Sequence, residues 1–200
     1  MKPLKHYKIS RTIFVTVILS LISINISAQN WDINLLESIN PQYPNSGLWK
    51  ATSASTYPIA IALPVGLWVD GKMEKNKTTE KRAYEMAGSI IIAGASSQAL
   101  KIIFNRSRPY EKYNTVYPYK IESDKSFPST HTSIAFAVAT TVSIEYKKWY
   151  VVVPAYLWAT SVGYSRVYLG EHYPTDIIAG AATGAGSAFI SHWLTKKIFK

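Results

Sequence analysis

The chain has 200 residues, of which 48% are hydrophobic and 17% charged, with a formal net charge of +10 at pH 7. This length and apolar content are typical of one folded domain and exclude a disordered chain, and the absence of cysteine excludes a disulfide framework and a thiolate metal site. The positive charge predicts an anionic partner, whose kind depends on where the cations lie along the chain.

Residues 1–28 have the pattern of an export signal. An apolar run, TIFVTVILSLISINISA, follows four cations, which are Lys2, Lys5, Lys8 and Arg11. A positive start, an apolar centre and a small residue at the end are typical of a secretory signal peptide, which predicts cleavage after Ala28. The alternative is a first membrane helix that stays attached, because the run is about as long as a short span. Both interpretations predict that the chain is exported.

Residues 29–54 form a polar N-terminal segment, and five apolar segments follow it within residues 55–200. They cover residues 55–69, 86–104, 131–146, 150–164 and 176–194. Each is at or below the length that crosses a bilayer, and the mean hydropathy of the chain is +0.00, so soluble helices stay open at this point. The pattern predicts an all-α domain over 55–200, a bundle of five helices, or six if the N-terminal run is counted.

The distribution of charge favours a membrane-embedded or membrane-docked bundle. When the apolar segments are threaded alternately through a bilayer, fourteen of the 22 lysines and arginines fall on the inner side, as is typical of cytoplasmic ends. Trp68, Trp149 and Trp193 stand at segment ends, where aromatic residues meet membrane interfaces, and Gly180 and Gly184 have the four-residue spacing of close helix packing in lipid. Nucleic-acid binding is disfavoured, because the cations form no continuous stripe. The alternative is a soluble helical domain with a basic surface.

Three polar clusters fall on the outer side of this threading. Their sequences are KIIFNRSRP, from Lys101 to Pro109, PSTH, from Pro128 to His131, and SRVYLGEHYPTD, from Ser165 to Asp176. Because all three clusters lie at the same level of a helical bundle, they predict a single site there.

The first two clusters suit an anion. Lys101 and Arg108 are seven residues apart, which places them two turns apart on one helical face, and Pro109 biases Arg108 out of the helix. Ser129 stands where an N-cap residue is expected, so the first amides of the next helix are free to face a phosphate. The alternatives are cations that extend to the membrane interface and a plain structural cap.

The third cluster pairs a histidine with a carboxylate. His172 is the kind of side chain that acts as a nucleophile or proton carrier near neutral pH. Asp176, at a predicted helix start after Pro174, can accept the ring N–H of His172 and fix its tautomer. His131 faces the same predicted pocket, and two histidines with three basic groups predict phosphoryl transfer through a covalent intermediate. The alternative is an aspartate cap beside an interfacial histidine.

The three clusters together resemble the motifs of the type 2 phosphatidic acid phosphatase family, which also includes bacterial nonspecific acid phosphatases and vanadium haloperoxidases. Their order and internal spacings agree with the family over about residues 55–195. The resemblance implies that His172 is the nucleophile that forms a phosphohistidine, that Asp176 orients it and that His131 is the general acid. It also implies no cofactor and no metal, and a phosphate bound by Lys101, Arg108, Arg166 and Ser129 with nearby backbone amides.

One position departs from the family pattern. Thr130 stands where the second motif of the family usually has glycine, and a β-branched residue cannot adopt all the conformations open to glycine. Because its backbone amide can still donate, Thr130 is kept in the predicted phosphate-binding set.

The resemblance implies a hydrolase that acts on a phosphorylated lipid, located in the inner membrane with its active site facing the periplasm. Phosphatidic acid, lipid A and a prenyl diphosphate all stay open as substrates. A loop on the outer side carries cations that either hold a second anionic group or are solvated loop charges, namely Arg106, Lys112, Lys120 and Lys125. The alternatives are a soluble periplasmic nonspecific acid phosphatase, a vanadium-dependent haloperoxidase and a non-enzymatic anion-binding membrane protein.

Overall fold

The computed structural model of the protein describes residues 31–199, so the predicted export signal and its cleavage point lie outside the described residues. The described part is helical and contains no strand. Its helices are α1 (31–39), α2 (Gly47–Ala54), α3 (Thr56–Met73), α4 (Lys77–Phe104), α5 (Pro109–Lys112), α6 (Thr130–Tyr146), α7 (Trp149–Tyr168) and α8 (Pro174–Ile198). The all-α prediction is confirmed.

The five predicted apolar segments correspond to the five long helices, α3, α4, α6, α7 and α8. α4 begins well before its apolar segment, because the Asn76 side chain accepts hydrogen bonds from the N–H groups of Thr78 and Thr79 and so caps a polar first turn. Pro174 occupies the start of α8, where the missing N–H of proline has no helical partner to lose. Local capping therefore sets boundaries that the apolar pattern alone leaves open.

The predicted count of five or six helices is too low for residues 31–199, which contain eight. The additional helices, α1, α2 and α5, are short and lie in stretches that were predicted to be a polar segment or a loop. A helix of one or two turns has too few residues for an apolar period to be recognised. Its stability comes from contacts with the rest of the protein.

Helix α6 lies at the centre of the bundle, in contact with α3, α4, α7 and α8. All but one of its residues from Thr132 to Val142 are buried, and Ile134 and Val138 pack against Ala60 of α3. The starts of α3, α6 and α8 lie with the ends of α4 and α7 at one end of the bundle, which we call the upper end. The opposite end is the lower end.

Helix α8 approaches α6 most closely at two glycines. A Cβ atom at Gly184 would lie 2.1 Å from the backbone oxygen of Ser133, and one at Gly180 would lie 2.8 Å from the backbone oxygen of Ser129. The predicted packing role of this spacing is confirmed, because a side chain at either position would push the two helices apart. The contact also holds the start of α8 beside the start of α6.

The sides of the bundle expose many apolar side chains. Each of the following is at least 60% exposed: Ile61, Ile91, Leu157, Ile178 and Phe189. The helical stretch Lys77–Lys112 is long and apolar enough to cross a membrane, with a mean hydropathy of 1.4 over 18 residues, and α2 and α3, bent by 42°, pass the same test as a pair. Exposed apolar surface of this extent is typical of a protein that meets a membrane or another partner.

Residues 31–54, predicted as a polar segment, pack against the upper end. The Asn40 side chain donates to the carbonyl oxygens of Tyr117 and Tyr168 at 2.9 Å each, and it accepts from the N–H of Tyr117 at 2.8 Å. The ring of Trp49 in α2 lies 4.6 Å from that of Tyr164 in α7, between centroids. The domain boundary at residue 55 stays a prediction, while the segment before it contributes contacts to the bundle.

We expect Gly184→Ala to destabilise the bundle, because its methyl group would meet the α6 backbone, and overpacking of this kind costs about 1–3 kcal/mol. The matched control is Gly186→Ala in the same helix, where a Cβ atom meets nothing within 4 Å and alanine is the better helix former. Thermal unfolding in detergent should show a lower midpoint for Gly184→Ala alone. Equal midpoints for the two variants would contradict the close packing of α8 on α6.

Candidate active site

The three polar clusters meet at one cavity of about 100 Å³ at the upper end of the bundle. They reach it from the end of α4, the start of α6, the end of α7 and the connection between α7 and α8. Six of the eight predicted site residues line this cavity, and they are Lys101, Arg108, Thr130, His131, Arg166 and His172. The structure thus brings these side chains together, while the role of each stays a prediction.

His172 is buried, and its two ring nitrogens have different surroundings. Nδ1 lies 3.3 Å from Oδ2 of Asp176, so Nδ1–H donates to the carboxylate and Nε2 keeps its lone pair. Nε2 lies 3.4 Å from Nη1 of Arg108 on the cavity wall. The nitrogen that is free to attack a ligand therefore lies beside the cations.

Asp176 is buried at the start of α8 and holds His172 through one carboxylate oxygen. Oδ2 also accepts from the N–H of Tyr173 at 3.0 Å and from the hydroxyl of Ser126. The other oxygen, Oδ1, accepts from Arg106 at 2.6 Å. Donors on both oxygens fix the carboxylate in one orientation, and the carboxylate in turn fixes the ring of His172.

The surroundings of His172 favour a neutral ring. Burial lowers its pKa well below the ordinary value of 6.5, and the positive charges of Arg108, Arg166 and Lys101 lower the pKa further, because both effects disfavour an imidazolium ion. The nearby carboxylate of Asp124 acts in the opposite direction. A neutral imidazole is the form that can attack phosphorus.

Three buried cations line the cavity, and all three are held by contacts from other parts of the chain; Lys101 donates to the carbonyl oxygen of Lys125. Arg108 donates from Nη1 to the carbonyl oxygen of Glu171 at 2.8 Å. Arg166 donates from Nη1 to the hydroxyl of Ser53 at 2.7 Å and forms an ion pair with Glu171. Lys101, the third cation, is 3% exposed. Fixed cations at a small cavity favour a ligand with more than one negative oxygen.

Two buried donors at the cavity lack a hydrogen-bond partner within residues 31–199. They are Nε of Arg166 and Oγ1 of Thr130. Buried polar atoms are nearly always hydrogen-bonded, so donors that face a cavity without a partner are suited to a ligand that supplies acceptors. An oxyanion supplies them.

The two residues at the start of α6, Ser129 and Thr130, differ in position, because only Thr130 lines the cavity. Thr130 is the first residue of the helix and does not have a positive φ, so threonine at the family's glycine position requires no conformation reserved for glycine. Ser129 is fully buried and caps α6, since its hydroxyl accepts from the N–H of Thr132 at 3.5 Å. Ser129 is not among the residues that line the cavity, and the contact of its hydroxyl with phosphate stays a prediction.

His131 lines the same cavity as His172. Its ring packs edge to face against the ring of Tyr57, at the start of α3, with 4.8 Å between ring centroids. A ligand that fills the cavity would contact both histidines. This is the arrangement that a nucleophile and a general acid require.

Sequence reasoning did not identify five further residues on the cavity wall, which are Tyr57, Gln98, Glu122, Ser123 and Asp124. Gln98 could have been found, because it lies three residues before Lys101 and therefore on the same face of α4. The others belong to the start of α3 and to the loop before α6. No apolar period predicts that they face the cavity.

Asp124 lies against two of the cations. Its carboxylate forms ion pairs with Arg108 and, at 3.3 Å, with Lys101. Burial acts to raise the pKa of Asp124, but Lys101 and Arg108 together lower it below its usual value. The Asp124 side chain is 42% exposed, so a ligand can replace it. A carboxylate between two cations takes the place that two phosphate oxygens would take.

For Arg106, the structure agrees with neither of the two alternatives, a second anion site or a solvated loop charge. Its terminal nitrogens are engaged by the carboxylates of Asp32 and Asp176, each at 2.6 Å, and an arginine between two buried carboxylates has no need of a further anion. The other three cations of that set are exposed, as solvated loop charges would be: Lys112, Lys120 and Lys125.

At the lower end a histidine meets two carboxylates. Nδ1 of His192 lies 2.9 Å from Glu85 and 3.6 Å from Glu145, and among residues 31–199 only these three side chains form a group close enough to hold a metal ion. Arg82 donates to Glu145 at 3.0 Å, so one of the two carboxylates already has a cationic partner. The group lies at the opposite end of α4, α6 and α8 from the cavity.

Comparison with known proteins agrees with this geometry. A sequence model described as the PAP2 superfamily matches residues 82–200. The chain is 33% identical over 116 residues to an undecaprenyl-diphosphatase of Sulfolobus acidocaldarius, covering 58% of this chain and 56% of the relative. It is 30% identical over 133 residues to a lipid A 1-phosphatase of Porphyromonas gingivalis, covering 65% of this chain and 27% of the relative. The chain thus spans about half or less of the length of these relatives.

Two solved structures share the fold. The crystal structure of Aquifex aeolicus LpxE superposes with a TM-score of 0.69 at 25% identity, covering 80% of this chain and 94% of that one. A transmembrane PAP2 type phosphatidylglycerolphosphate phosphatase from Bacillus subtilis superposes with a TM-score of 0.67 at 22% identity, covering 94% and 96%. The bundle described above is therefore the fold of these two proteins.

We expect Asp124→Asn to strengthen the binding of inorganic phosphate, because the neutral amide no longer competes with the anion for Lys101 and Arg108. The dissociation constant, measured by calorimetry on the full chain in detergent, should fall about tenfold, which corresponds to about 1.4 kcal/mol. Asp70→Asn, an equal charge change on the exposed surface of α3, should leave the constant unchanged. Weaker binding by Asp124→Asn would mean that Asp124 holds the cations in place and does not compete with the ligand.

Proposed function

Because the chain belongs to the PAP2 superfamily, we propose that it is a phosphatase that hydrolyses a phosphate ester of a lipid through a phosphohistidine intermediate. One observation carries the proposal. His172 presents Nε2 to a cavity lined by three cations, while Asp176 holds Nδ1 on the opposite side of the ring. A cavity of about 100 Å³ accommodates a phosphate group and leaves the rest of a larger substrate outside.

In the first step, Nε2 of His172 attacks phosphorus, and the bond between phosphorus and the ester oxygen breaks. His131 gives its proton to the leaving oxygen. The mechanism requires a protonated His131 at this stage, and the negative charge of a bound phosphate acts in that direction, because it favours the imidazolium form. The three cations stabilise the negative charge on the other phosphate oxygens, and Asp176 stabilises the positive charge on the ring of His172.

In the second step, water attacks the phosphorus atom of the phosphohistidine. His131, now neutral, accepts a proton from this water, and the bond between Nε2 and phosphorus breaks. Inorganic phosphate leaves, with His172 neutral again and His131 protonated. Every proton and electron pair in this cycle is supplied by the two histidines, the substrate and water, so we propose a metal-independent reaction.

An apolar cleft beside the cavity supports a lipid as the substrate. The cleft, of about 350 Å³, lies between α3 and α4, and its lining extends from Ala60 and Ile91 to Trp68 and Tyr84. Tyr57, which lines the cavity, is one turn before the cleft on α3. A phosphate in the cavity therefore places an attached apolar chain next to an apolar surface. The relatives named for undecaprenyl diphosphate and lipid A support substrates of this kind.

We also propose that the bundle crosses the inner membrane with its upper end toward the periplasm. The lower end carries the cations near the α3–α4 turn, the α6–α7 turn and the end of α8, which are Lys72, Lys75, Lys77, Lys81, Arg82, Lys147, Lys148, Lys196 and Lys197. Lysine and arginine accumulate on the cytoplasmic side of membrane proteins. A soluble acid phosphatase is less well supported, because it would leave the exposed apolar side chains of the bundle in water.

We expect His172→Ala to abolish phosphate release and His131→Ala to slow it by about 10² to 10⁴-fold, the usual worth of a general acid. Purified protein in detergent is assayed with phosphatidic acid, a prenyl diphosphate, lipid A and a water-soluble aryl phosphate. His192→Asn, which keeps a donor toward Glu85 at the lower end, is the matched control and should retain activity.

Wild-type turnover by His172→Ala would exclude the mechanism. Preference for the aryl phosphate, with the protein in the aqueous fraction after cell lysis, would favour the soluble acid phosphatase. Loss of activity in EDTA that a divalent ion restores would contradict a metal-independent reaction.

The depressed pKa of His172 predicts its protonation state in the empty site. As pH falls through 6.5, a histidine in water takes up a proton, but His172 should stay neutral with its proton on Nδ1, because protonation begins only near its lowered pKa. Side-chain ¹⁵N shifts of histidine-labelled protein, assigned with His172→Ala, measure this directly. A His172 signal that titrates near pH 6.5 would show that burial and the neighbouring cations do not lower its pKa as the structure indicates.

A further inference from the structure

Arg106 joins two distant parts of the chain at the start of α8. Its Nη1 donates to Oδ1 of Asp176 at 2.6 Å and to the hydroxyl of Thr175 at 2.7 Å, and its Nη2 donates to Oδ2 of Asp32 at 2.6 Å. The guanidinium group also lies 3.9 Å from the centre of the Tyr173 ring. One planar side chain thus contacts both carboxylates and two residues between His172 and Asp176, which are Tyr173 and Thr175.

Asp32, in α1, also contacts the start of α8, through Thr175. Its Oδ1 accepts from the backbone N–H of Thr175 at 2.8 Å, and its Oδ2 accepts from the Thr175 hydroxyl as well as from Arg106. Asp32 is 2% exposed and Asp176 is 0% exposed. A carboxylate removed from water to this degree requires charged or hydrogen-bonding partners, and here Arg106 is the charged partner of both.

The two carboxylate oxygens of Asp176 therefore have different hydrogen-bond partners. Oδ2 accepts from His172, Tyr173 and Ser126, whereas Oδ1 is held by Arg106. Without Arg106, Oδ1 would be a buried charged oxygen without its cation, and the carboxylate could turn about its own axis to recover donors. Any such turn would move Oδ2 away from Nδ1 of His172.

We propose that Arg106 and Asp32 are positioning residues, which act through Asp176 to hold the ring of His172 with Nε2 toward the cavity. This inference rests on the proposed function, in which His172 is the nucleophile. Neither Arg106 nor Asp32 lines the cavity, so neither touches the phosphate group. Asp32–Arg106–Asp176–His172 is a chain of contacts in which each member orients the next.

The test measures kcat and KM of Arg106→Met, Asp32→Asn and a matched control, Lys112→Met, which removes one charge from a neighbouring exposed cation. For Arg106→Met we expect kcat to fall about 10- to 100-fold, the usual effect of losing a supporting contact, with KM and phosphate affinity unchanged. Asp32→Asn should have a smaller effect in the same direction, and Lys112→Met none. A raised KM with unchanged kcat would instead make Arg106 a ligand of the substrate and overturn the proposal.

A double-mutant cycle identifies the path of the effect. If Arg106 acts only through Asp176, the double variant Arg106→Met/Asp176→Asn should be no slower than Asp176→Asn alone. Effects that multiply fully would show that Arg106 acts on catalysis without Asp176, against the proposal. If Arg106→Met does not fold, Arg106→Lys replaces it. A lysine can reach one carboxylate but cannot bridge both, so kcat should still fall.

A second readout does not depend on turnover. In the ¹⁵N spectrum, Arg106→Met should broaden or shift the His172 signal from the pure Nδ1–H tautomer toward a mixture, while Lys112→Met should leave it unchanged. An unchanged His172 tautomer in Arg106→Met would overturn the positioning role. If wild-type protein releases no phosphate from any substrate but the tautomer responds as expected, the proposed function fails and the positioning contact is retained.

Discussion

The buried contact between Nδ1 of His172 and the carboxylate of Asp176 is the interaction on which the upper end of this bundle depends. A carboxylate that is removed from water has to be surrounded by donors, and the chain supplies them from several places. Ser126 comes from the loop before α6, Tyr173 from the start of α8 and Arg106 from the segment after α4. The requirement of a single carboxylate therefore brings together segments that are far apart in sequence, and the cavity lies where they meet.

In the cavity, each of the three cations is paired with a carboxylate. Lys101 and Arg108 share the carboxylate of Asp124, and Arg166 faces Glu171. Burial raises the pKa of Glu171 and the charge of Arg166 acts against that rise, so this pair limits the cost of keeping an arginine away from water. An incoming phosphate would therefore meet no free cation, because each of the three cations already has a carboxylate partner. In the proposed function, the phosphate would exchange with the exposed carboxylate of Asp124, while the pair of Arg166 with Glu171 would stay in place and keep Arg166 oriented.

Much of the fold and most of the site could be predicted from the sequence, for physical reasons. Long apolar runs identify long helices, and the spacing of Lys101 from Arg108 and of His172 from Asp176 is local, so it can be read along the chain. Ser129 caps α6 in the structure, and the sequence alone does not distinguish a serine that caps a helix from a serine that also binds phosphate. The contacts that Asp124 and Asp32 make in and around the site could not be predicted from the sequence. The positions of these two residues depend on tertiary contacts of a loop and a short helix, which have no periodic pattern.

The N-terminal segment contributes contacts to the candidate site from outside the stretch that carries the three motifs, residues 101–176. Arg166 is held by Ser53 of α2, and Arg106 is held by Asp32 of α1. The proposed mechanism requires both arginines in one fixed orientation, Arg166 toward the cavity and Arg106 toward Asp176. An arginine side chain has several rotatable bonds, so an arginine without these partners would lose that orientation or take up other contacts. The motifs supply the reacting groups, and α1 and α2 supply the contacts that hold two of the supporting cations in place.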